Sequence, residues 1–151
     1  MIRVGCLLEV RADAGYRSAE DADLIFDVIA REVAKLPPPR RHSTVVDWRR
    51  CPLMSPLAAE RVSQRIAMTN ANVVRSAVLI RPDSPLSVLQ HTRLIRDAKL
   101  DERKVFFDAQ ELQTWLSEVL TPAEKERLRA FLSELEPLGQ SQRPPSLRRT
   151  P

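Results

Sequence analysis

The sequence predicts an α/β protein built on a mostly parallel sheet of four strands. Short runs of β-branched and apolar residues alternate with longer runs in which apolar residues recur at helical spacing. The predicted order is βαβαβαβα, followed by one further helix. Helices long enough to cross between strands imply parallel pairing with right-handed connections, so we expect the helices to cover the sheet.

Length and composition indicate one domain with its own core. The chain has 151 residues, of which 43% are hydrophobic and 29% are charged, a balance that suits a folded domain and not a disordered chain. Strand and helix periods extend to Glu136, so the domain is predicted over residues 1–136. Residues 137–151 have no periodicity and are rich in proline and arginine, which predicts a disordered basic tail.

The first strand is predicted over residues 4–10, an apolar run that ends before a turn at Gly15. Ser18 is followed three residues later by an acid, which is typical of a helix N-terminus. Apolar residues then recur every three or four positions as far as Leu36. The prolines that begin at Pro37 end this first helix, because proline cannot continue the hydrogen-bond pattern.

The following units repeat this alternation. Residues 44–48 and 73–80 form the second and third strands, and each is followed by a Ser-Pro pair, at 55–56 and 84–85, that opens a helix. The second helix is expected to reach Ala71. Residues 104–107 form the fourth strand. Two more helices follow, one capped by an aspartate and one that begins at a Thr-Pro pair.

Charge and hydropathy exclude several classes of protein. The net charge of +4 is concentrated in the tail, which holds three arginines and no acid, whereas basic and acidic residues alternate in the nearly neutral body. We therefore expect no nucleic-acid partner. No apolar run is long enough for a membrane span, no secretory leader is recognisable, and the two cysteines do not form a disulfide framework. The sequence thus predicts a cytoplasmic protein without integral membrane association.

Motifs for cofactors and catalysis are missing from the sequence. The three glycines are too far apart for a dinucleotide turn or a phosphate-binding loop. His42 and His91 have no cysteine or carboxylate at metal-ligand spacing and are predicted to lie at the surface, and Cys6 is predicted to be buried in a strand. No nucleophile is paired with an evident base. The prediction is therefore no cofactor, no metal and no enzymatic activity; an enzyme would depend on Asp47, which ends a parallel strand.

The loop after the second strand holds the candidate partner or regulatory residues: Asp47, Cys51, Leu53, Met54 and Ser55. Leu53 and Met54 are apolar residues in a loop and suit contact with a protein. Asp47 has an alternative role as a cap or as a partner of the arginines after it. Ser55 is either a phosphorylation site, favoured by the helix N-terminus, or an ordinary N-cap. Cys51 is either a reactive thiol or a loop residue without such a role.

The segment VVDWRRCPLMSPLAAERVSQ resembles the strand, loop and helix of STAS-type domains, the class that includes anti-sigma-factor antagonists. A nearer likeness is to bacterial STAS-like proteins of unassigned function, which are also similar to CRAL-TRIO lipid-binding domains. The strands VRSAVLI and KVFFD, the Trp-Leu helix and the LTPAEKERLRAFL helix extend it over about residues 6–135. STAS folds usually begin with a β-hairpin. Since only one strand is predicted before the first helix here, an edge strand should be missing or supplied by a partner.

The resemblance implies a STAS-like fold and a non-enzymatic regulatory or scaffolding module. Such a module acts through contacts with a protein partner or as a homodimer, and STAS domains do so by switching partners. The loop Leu53-Met54-Ser55-Pro56 departs from the Asp-Ser-Ser-Gly pattern of phosphorylated antagonists. The alternative function is a carrier of a small apolar ligand or lipid, as in CRAL-TRIO domains, which requires a pocket among the apolar helix faces.

Overall fold

The computed structural model describes residues 1–134, which form a five-stranded sheet with helices on both faces. The strands lie in the sheet in chain order; β1 is antiparallel to β2, and all other neighbours are parallel. The strands are β1 (Ile2–Val4), β2 (Leu7–Arg11), β3 (His42–Asp47), β4 (Val73–Leu79) and β5 (Arg103–Phe106). The helices are α1 (Ala19–Ala34), α2 (Pro56–Met68), α3 (Pro85–Asp97), α4 (Ala109–Ser117) and α5 (Pro122–Glu134), with a 3-10 turn at Asn70–Asn72. The predicted α/β class is confirmed.

The three crossover helices lie together on one face of the sheet. Each step from β2 to β5 moves to the next strand in the same direction, so right-handed connections place α1, α2 and α3 on the same side. Their buried side chains form one core with the sheet, and those of α4 and α5 form a second core on the other face. We call these the α1–α3 face and the α4–α5 face. Strand order is not reversed in the described part of the chain, so the sheet lacks the switch point where open α/β sheets usually bind ligands.

The prediction of four strands is wrong because the first apolar run contains a turn. The run at residues 4–10 is divided: β1 ends at Val4 and β2 begins at Leu7, with Gly5 and Cys6 as the turn of a hairpin. Gly5 has a φ of 55°, which glycine adopts without strain. The hairpin supplies the edge strand that was expected to be missing. It also leaves Cys6 exposed in the turn, so the prediction of a buried Cys6 is wrong.

The predicted helix starts are confirmed by side-chain caps. Ser18, Ser55 and Ser84 each accept a hydrogen bond from the backbone N–H three residues on, and Asp108 accepts two. Helix α2 ends at Met68, three residues before its predicted end, because the chain tightens into the 3-10 turn.

Two buried acids fix α5 to the start of the chain. Glu124 accepts hydrogen bonds from the backbone N–H of Cys6 at 2.7 Å and of Thr121 at 2.8 Å, so one carboxylate caps its own helix and binds the hairpin turn. Glu9 is only 2% exposed, and its two oxygens accept from Nε and Nη2 of Arg127, both at 2.6 Å. The buried carboxylate of Glu9 therefore has a bidentate partner.

Residues 135–151 lie outside the described residues, so the predicted domain end at Glu136 and the predicted tail at 137–151 stay predictions. Among residues 1–134, no helix is both long enough and apolar enough to cross a membrane.

Candidate functional site

The loop after β3 begins with an aspartate that is satisfied locally. Asp47 is 3% exposed, and its Oδ1 accepts hydrogen bonds from the backbone N–H of Arg49 at 3.0 Å and from the Nε of Arg49 at 3.1 Å. The alternative prediction, pairing with a following arginine, is confirmed. No other side chain in residues 1–134 hydrogen-bonds to this carboxylate.

Cys51 and Met54 belong to the core of the α1–α3 face. Burial raises the pKa of the Cys51 thiol to about 12, so the nucleophilic thiolate is strongly disfavoured. Cys51 is therefore a core residue and not a reactive thiol. The prediction that Met54 offers a surface contact is wrong for the same reason, whereas Leu53 is 50% exposed and keeps that role.

Ser55 is exposed and caps α2. Its Oγ accepts a hydrogen bond from the N–H of Ala58 at 3.3 Å, and Ser84 does the same for Ser87 at the start of α3. The N-cap role is therefore confirmed, and phosphorylation of Ser55 stays a prediction.

The loop is held against α3 by a pair of amide hydrogen bonds. The Oε1 of Gln90 accepts from the N–H of Met54 at 2.9 Å, and the Nε2 of Gln90 donates to the carbonyl of Met54 at 2.9 Å. The side chain of Gln90 thus satisfies both backbone groups of a buried loop residue. This clamp fixes the position of Leu53, the next residue back, relative to α3.

A groove of about 740 Å³ runs between α2 and α3, beside this loop. We call it the α2–α3 groove. Its apolar lining includes three exposed leucines, Leu53, Leu86 and Leu89, of which the last two are each 67% exposed. Charged side chains stand among the lining residues on both helices: Glu60, Arg93 and Asp97. The loop predicted to contact a partner therefore forms one end of a larger apolar surface.

A second feature lies between the sheet and the helices of the α1–α3 face, with most of its polar side chains at the opposite, amino edge of the parallel strands. A cavity of about 50 Å³ lies between the sheet and α1 and α2; we call it the polar cavity. Most of its wall is apolar and includes Phe26, Ile29 and Val46. At about 10–15 Å³ for each water molecule, it has room for about three to five. Five polar side chains of its wall lie near the starts of β3, β4 and β5 and the end of α2: His42, Thr44, Thr69, Ser76 and Arg103. Tyr16 and Trp48 also line it, and the ring N–H of Trp48 donates to the hydroxyl of Tyr16 at 3.3 Å.

Arg103 reaches from β5 under the C-terminal end of α2. Its Nε donates to Oδ1 of Asn70 at 2.9 Å, and its Nη2 donates to the carbonyl of Ile66 at 3.1 Å and to Oγ1 of Thr69 at 2.7 Å. These bonds satisfy the end of the helix, which carries partial negative charge. Nη1 has no hydrogen-bond partner within residues 1–134, and no carboxylate of those residues pairs with the guanidinium. Burial lowers the pKa of Arg103 to about 10, and the group remains charged at neutral pH.

Thr44 and Ser76 stand opposite each other on β3 and β4, and the hydroxyl of Thr44 donates to that of Ser76 at 2.7 Å. The pair has two hydroxyl protons and uses one, so the other has no acceptor among the described residues. Nδ1 of His42 lies 3.1 Å from the carbonyl of Arg40 and donates to it. Burial lowers the pKa of His42, and the nearby charge of Arg103 lowers it further, so the ring is neutral at pH 7.

The prediction that both histidines lie at the surface is wrong. His91 is 1% exposed because it stands three and four residues before Leu94 and Ile95, on the buried stripe of α3. Its ring centre lies 5.1 Å from that of Trp48, its Nε2 has no hydrogen-bond partner among residues 1–134, and burial lowers its pKa. His42 is 2% exposed because it is the first residue of β3 and not part of the basic segment before it.

The polar cavity is missed by a search for motifs, although the sequence carries a weak signal for it. Thr44 and Ser76 are hydroxyl residues within predicted strands that are rich in valine, and Arg103 directly precedes the fourth predicted strand. Polar residues at such positions indicate a buried polar contact. Strand order and register bring them together, and neither can be derived from the spacing of these residues along the chain.

Within residues 1–134, no group of three or more His, Cys, Asp or Glu side chains is placed to hold a metal ion. Comparison of the chain with known protein families, with curated proteins and with solved structures finds no match. The resemblance to STAS-type and CRAL-TRIO domains therefore stays a prediction.

Proposed function

We propose that the protein is a non-enzymatic regulatory or scaffolding module that binds an amphipathic helix of a partner protein in the α2–α3 groove. The observation that carries the proposal is the concentration of exposed leucines around one groove, at Leu53, Leu86 and Leu89. Single exposed leucines are ordinary on protein surfaces, but three that line one groove are typical of a docking surface.

The dimensions of the groove fit a helix. Helices α2 and α3 have 13 residues each, so each is about 20 Å long. A partner helix of about four turns would lie along them and present apolar residues at positions i, i+3 or i+4, and i+7. This spacing would set its apolar side chains against the exposed leucines.

The charges around the groove define the chemistry of the partner further. Glu60 stands on α2, and Arg93 and Asp97 stand on α3. A matching helix would carry a basic side chain toward Glu60 or Asp97 and an acidic one toward Arg93. Such exposed charges favour one orientation of the helix and contribute little to its affinity.

The groove is formed before any partner binds. Gln90 clamps the backbone of Met54 through two hydrogen bonds, so the loop that carries Leu53 needs little ordering on binding. A smaller ordering cost leaves more of the contact energy as affinity.

Partner switching of the kind found in STAS domains would act through Ser55. Ser55 is exposed at the start of α2. It directly precedes Pro56 and comes two residues after Leu53, and both of these residues line the groove. A phosphate there would be favoured by the helix N-terminus and would repel acidic groups of a partner helix. The initial hairpin, which STAS folds usually have, supports this part of the proposal.

Photocrosslinking tests the proposal in cells that express the protein. A photoreactive residue replaces Leu89, and a control carries it in place of Arg129, an exposed residue of α5. We expect position 89 to crosslink to one partner, within an amphipathic helical segment. A synthetic peptide of that segment should bind the wild-type protein, and Leu86→Glu and Leu89→Glu should each weaken it by about tenfold or more.

The matched control for these variants is Leu24→Glu, which places the same charge at an exposed leucine of α1 and should leave peptide binding unchanged. Crosslinks only to a second copy of the chain would replace the partner helix with a homodimer. Equal crosslinking at positions 89 and 129, or equal peptide binding by all three glutamate variants, would exclude the groove as the docking site.

A further inference from the structure

The residues around the polar cavity have hydrogen-bond donors that the described part of the chain leaves unused. Nη1 of Arg103 has two hydrogens without a partner in residues 1–134, and the pair of Thr44 and Ser76 has one hydroxyl proton without an acceptor. Nη1 is not fully buried, because the buried side-chain atoms without a partner in these residues are Nε of Arg3 and Nε2 of His91. The neutral ring of His42 offers one free acceptor, its Nε2, because Nδ1 donates to a carbonyl. A ligand rich in acceptors would satisfy this arrangement.

The charge of the cavity defines the ligand more closely. Arg103 is the charged residue of its lining, which contains no acid, and the end of α2 offsets only part of the positive charge. A partly buried charge without a counter-charge is costly, and a single negative charge would compensate it. A dianion would leave a net negative charge in an apolar setting.

We propose that the polar cavity binds the carboxylate of a small organic monocarboxylic acid. Arg103 binds one carboxylate oxygen through Nη1, and the hydroxyl pair of Thr44 and Ser76 donates the remaining proton. The apolar body of the acid lies against the wall that includes Phe26 and Ile29. The carrier alternative inferred from the sequence concerns an apolar ligand, whereas these donors select one with an anionic head.

The surroundings of the cavity allow acids of different length. A groove of about 380 Å³ lies between α1 and the C-terminal half of α2, and four of its lining residues also line the cavity. These shared residues line both spaces: Phe26, Ile29, His42 and Thr69. An acid larger than the about three to five water molecules for which the cavity has room would extend past them into the groove. Val33 and Met68 extend the apolar lining outward. A longer alkyl chain would therefore continue from the cavity into this groove.

The site is separate from the α2–α3 groove, because no residue lines both spaces; the polar side chains of the cavity lie at the amino edge of the strands, and Trp48 in its wall lies at the carboxyl edge. The test uses isovalerate and octanoate, each against its own amide, which has the same shape and no charge. Binding is followed by titration calorimetry and by the fluorescence of Trp48, which lines the cavity. The Trp115→Phe background makes Trp48 the sole tryptophan.

We expect both acids to bind saturably and each amide to bind at least about tenfold more weakly, because a hydrogen bond to a charged group is lost. Arg103→Met should weaken the acids by about tenfold or more. Arg96→Met, which removes an exposed arginine of α3, should leave their binding unchanged. Ser76→Ala retains the bonds of Arg103 to α2 and should lower the affinity for the acids several-fold. This variant therefore tests the proposal even if Arg103→Met does not fold.

Three results would overturn the proposal. The first is the absence of saturable binding of either acid at millimolar concentration, which would leave the cavity to water. The second is equal affinity for the acids and their amides. The third is acid binding that Ser76→Ala leaves unchanged in a protein whose unfolding curve matches that of the wild type.

Discussion

Two arginines reach between the sheet and its helices, and their partners differ. Arg127, on the α4–α5 face, binds the carboxylate of Glu9 through two hydrogen bonds of 2.6 Å and binds Glu134 at 3.2 Å. Arg103, on the α1–α3 face, binds only neutral oxygens and leaves Nη1 without a partner in the described part of the chain.

This difference separates a closed core from a core with an internal site. On the α4–α5 face, a buried acid and its arginine compensate each other beside tightly buried leucines. On the α1–α3 face, the cation lies beside a cavity with unused donors. The buried charge of Glu9 is paired within the chain, whereas Arg103 has no carboxylate partner in residues 1–134 and is the charge that we assign to a ligand.

The largest effect is expected on the α4–α5 face. Arg127→Met leaves Glu9 buried without its cation, which should lower the free energy of unfolding by about 3–5 kcal/mol. Urea unfolding of this variant is compared with that of Arg129→Met, which removes an exposed arginine of the same helix and should change little. A loss below about 1 kcal/mol would mean that the Glu9 pair does not hold this face closed.

Gly5→Ala should weaken the attachment of α5 to the hairpin. A Cβ at this position would lie 2.5 Å from Oε1 of Glu124, and the φ of 55° adds strain for alanine, so we expect a loss of about 2 kcal/mol. Lys99→Gly is the matched control, because Lys99 also has a positive φ, of 54°, and glycine should relieve strain there. Thermal unfolding of both variants measures the effect; an unchanged Gly5→Ala protein would contradict the close approach.

Arg103→Met should cost less than Arg127→Met, about 1–2 kcal/mol, because it removes hydrogen bonds to the end of α2 and leaves no buried charge behind. The measurement is urea unfolding under the same conditions. Equal losses for the two arginine variants would show that Arg103 serves the fold as strongly as Arg127 does, and the contrast between the two faces would fail.

Stability should fall as the pH drops below about 6.5, the usual pKa of histidine. Burial next to Trp48 lowers the pKa of His91, so the unfolded chain takes up this proton before the folded protein does. The stabilising contribution is complete above the unfolded pKa and is lost as the pH falls toward the folded one. Unfolding of wild type and His91→Leu between pH 7 and pH 5 should give a flatter pH profile for the variant; identical slopes would contradict this role.

The smallest effect is expected at the α2–α3 groove. Leu89 is 67% exposed, so Leu89→Glu should change the free energy of unfolding by no more than about 0.5 kcal/mol. Thermal unfolding measures it. A large loss would mean that this leucine supports the fold and is not reserved for a partner.

The α/β class and most element starts could be predicted from local signals. Caps at Ser18, Ser55, Ser84 and Asp108 act within three residues of themselves, so the sequence alone shows them. The hairpin of β1 and β2 was not predicted, because its turn at Gly5 lies inside a run that otherwise has the pattern of a single strand. The spacing of apolar residues in that run indicates a strand, but it does not show where the chain reverses direction.

The candidate site was predictable only in part. Leu53 and Ser55 predict an exposed loop at the start of a helix, and both residues are exposed in the structure. Burial of Cys51 and Met54, by contrast, follows from how the loop folds back over α1 and α3. The cavity could not be predicted, because it depends on the pairing of Arg103 in β5 with Ser76 in β4, which local sequence does not show.

The most direct test of the difference between the two faces uses the two tryptophans, one on each. Trp48 lines the polar cavity, and Trp115 packs against Phe106 on the α4–α5 face. Their indole N–H signals are followed by NMR while isovalerate is added to the wild-type protein. We expect the Trp48 signal to shift saturably and the Trp115 signal to stay in place. Two stationary signals, or two that shift together without saturation, would contradict a ligand site confined to the α1–α3 face.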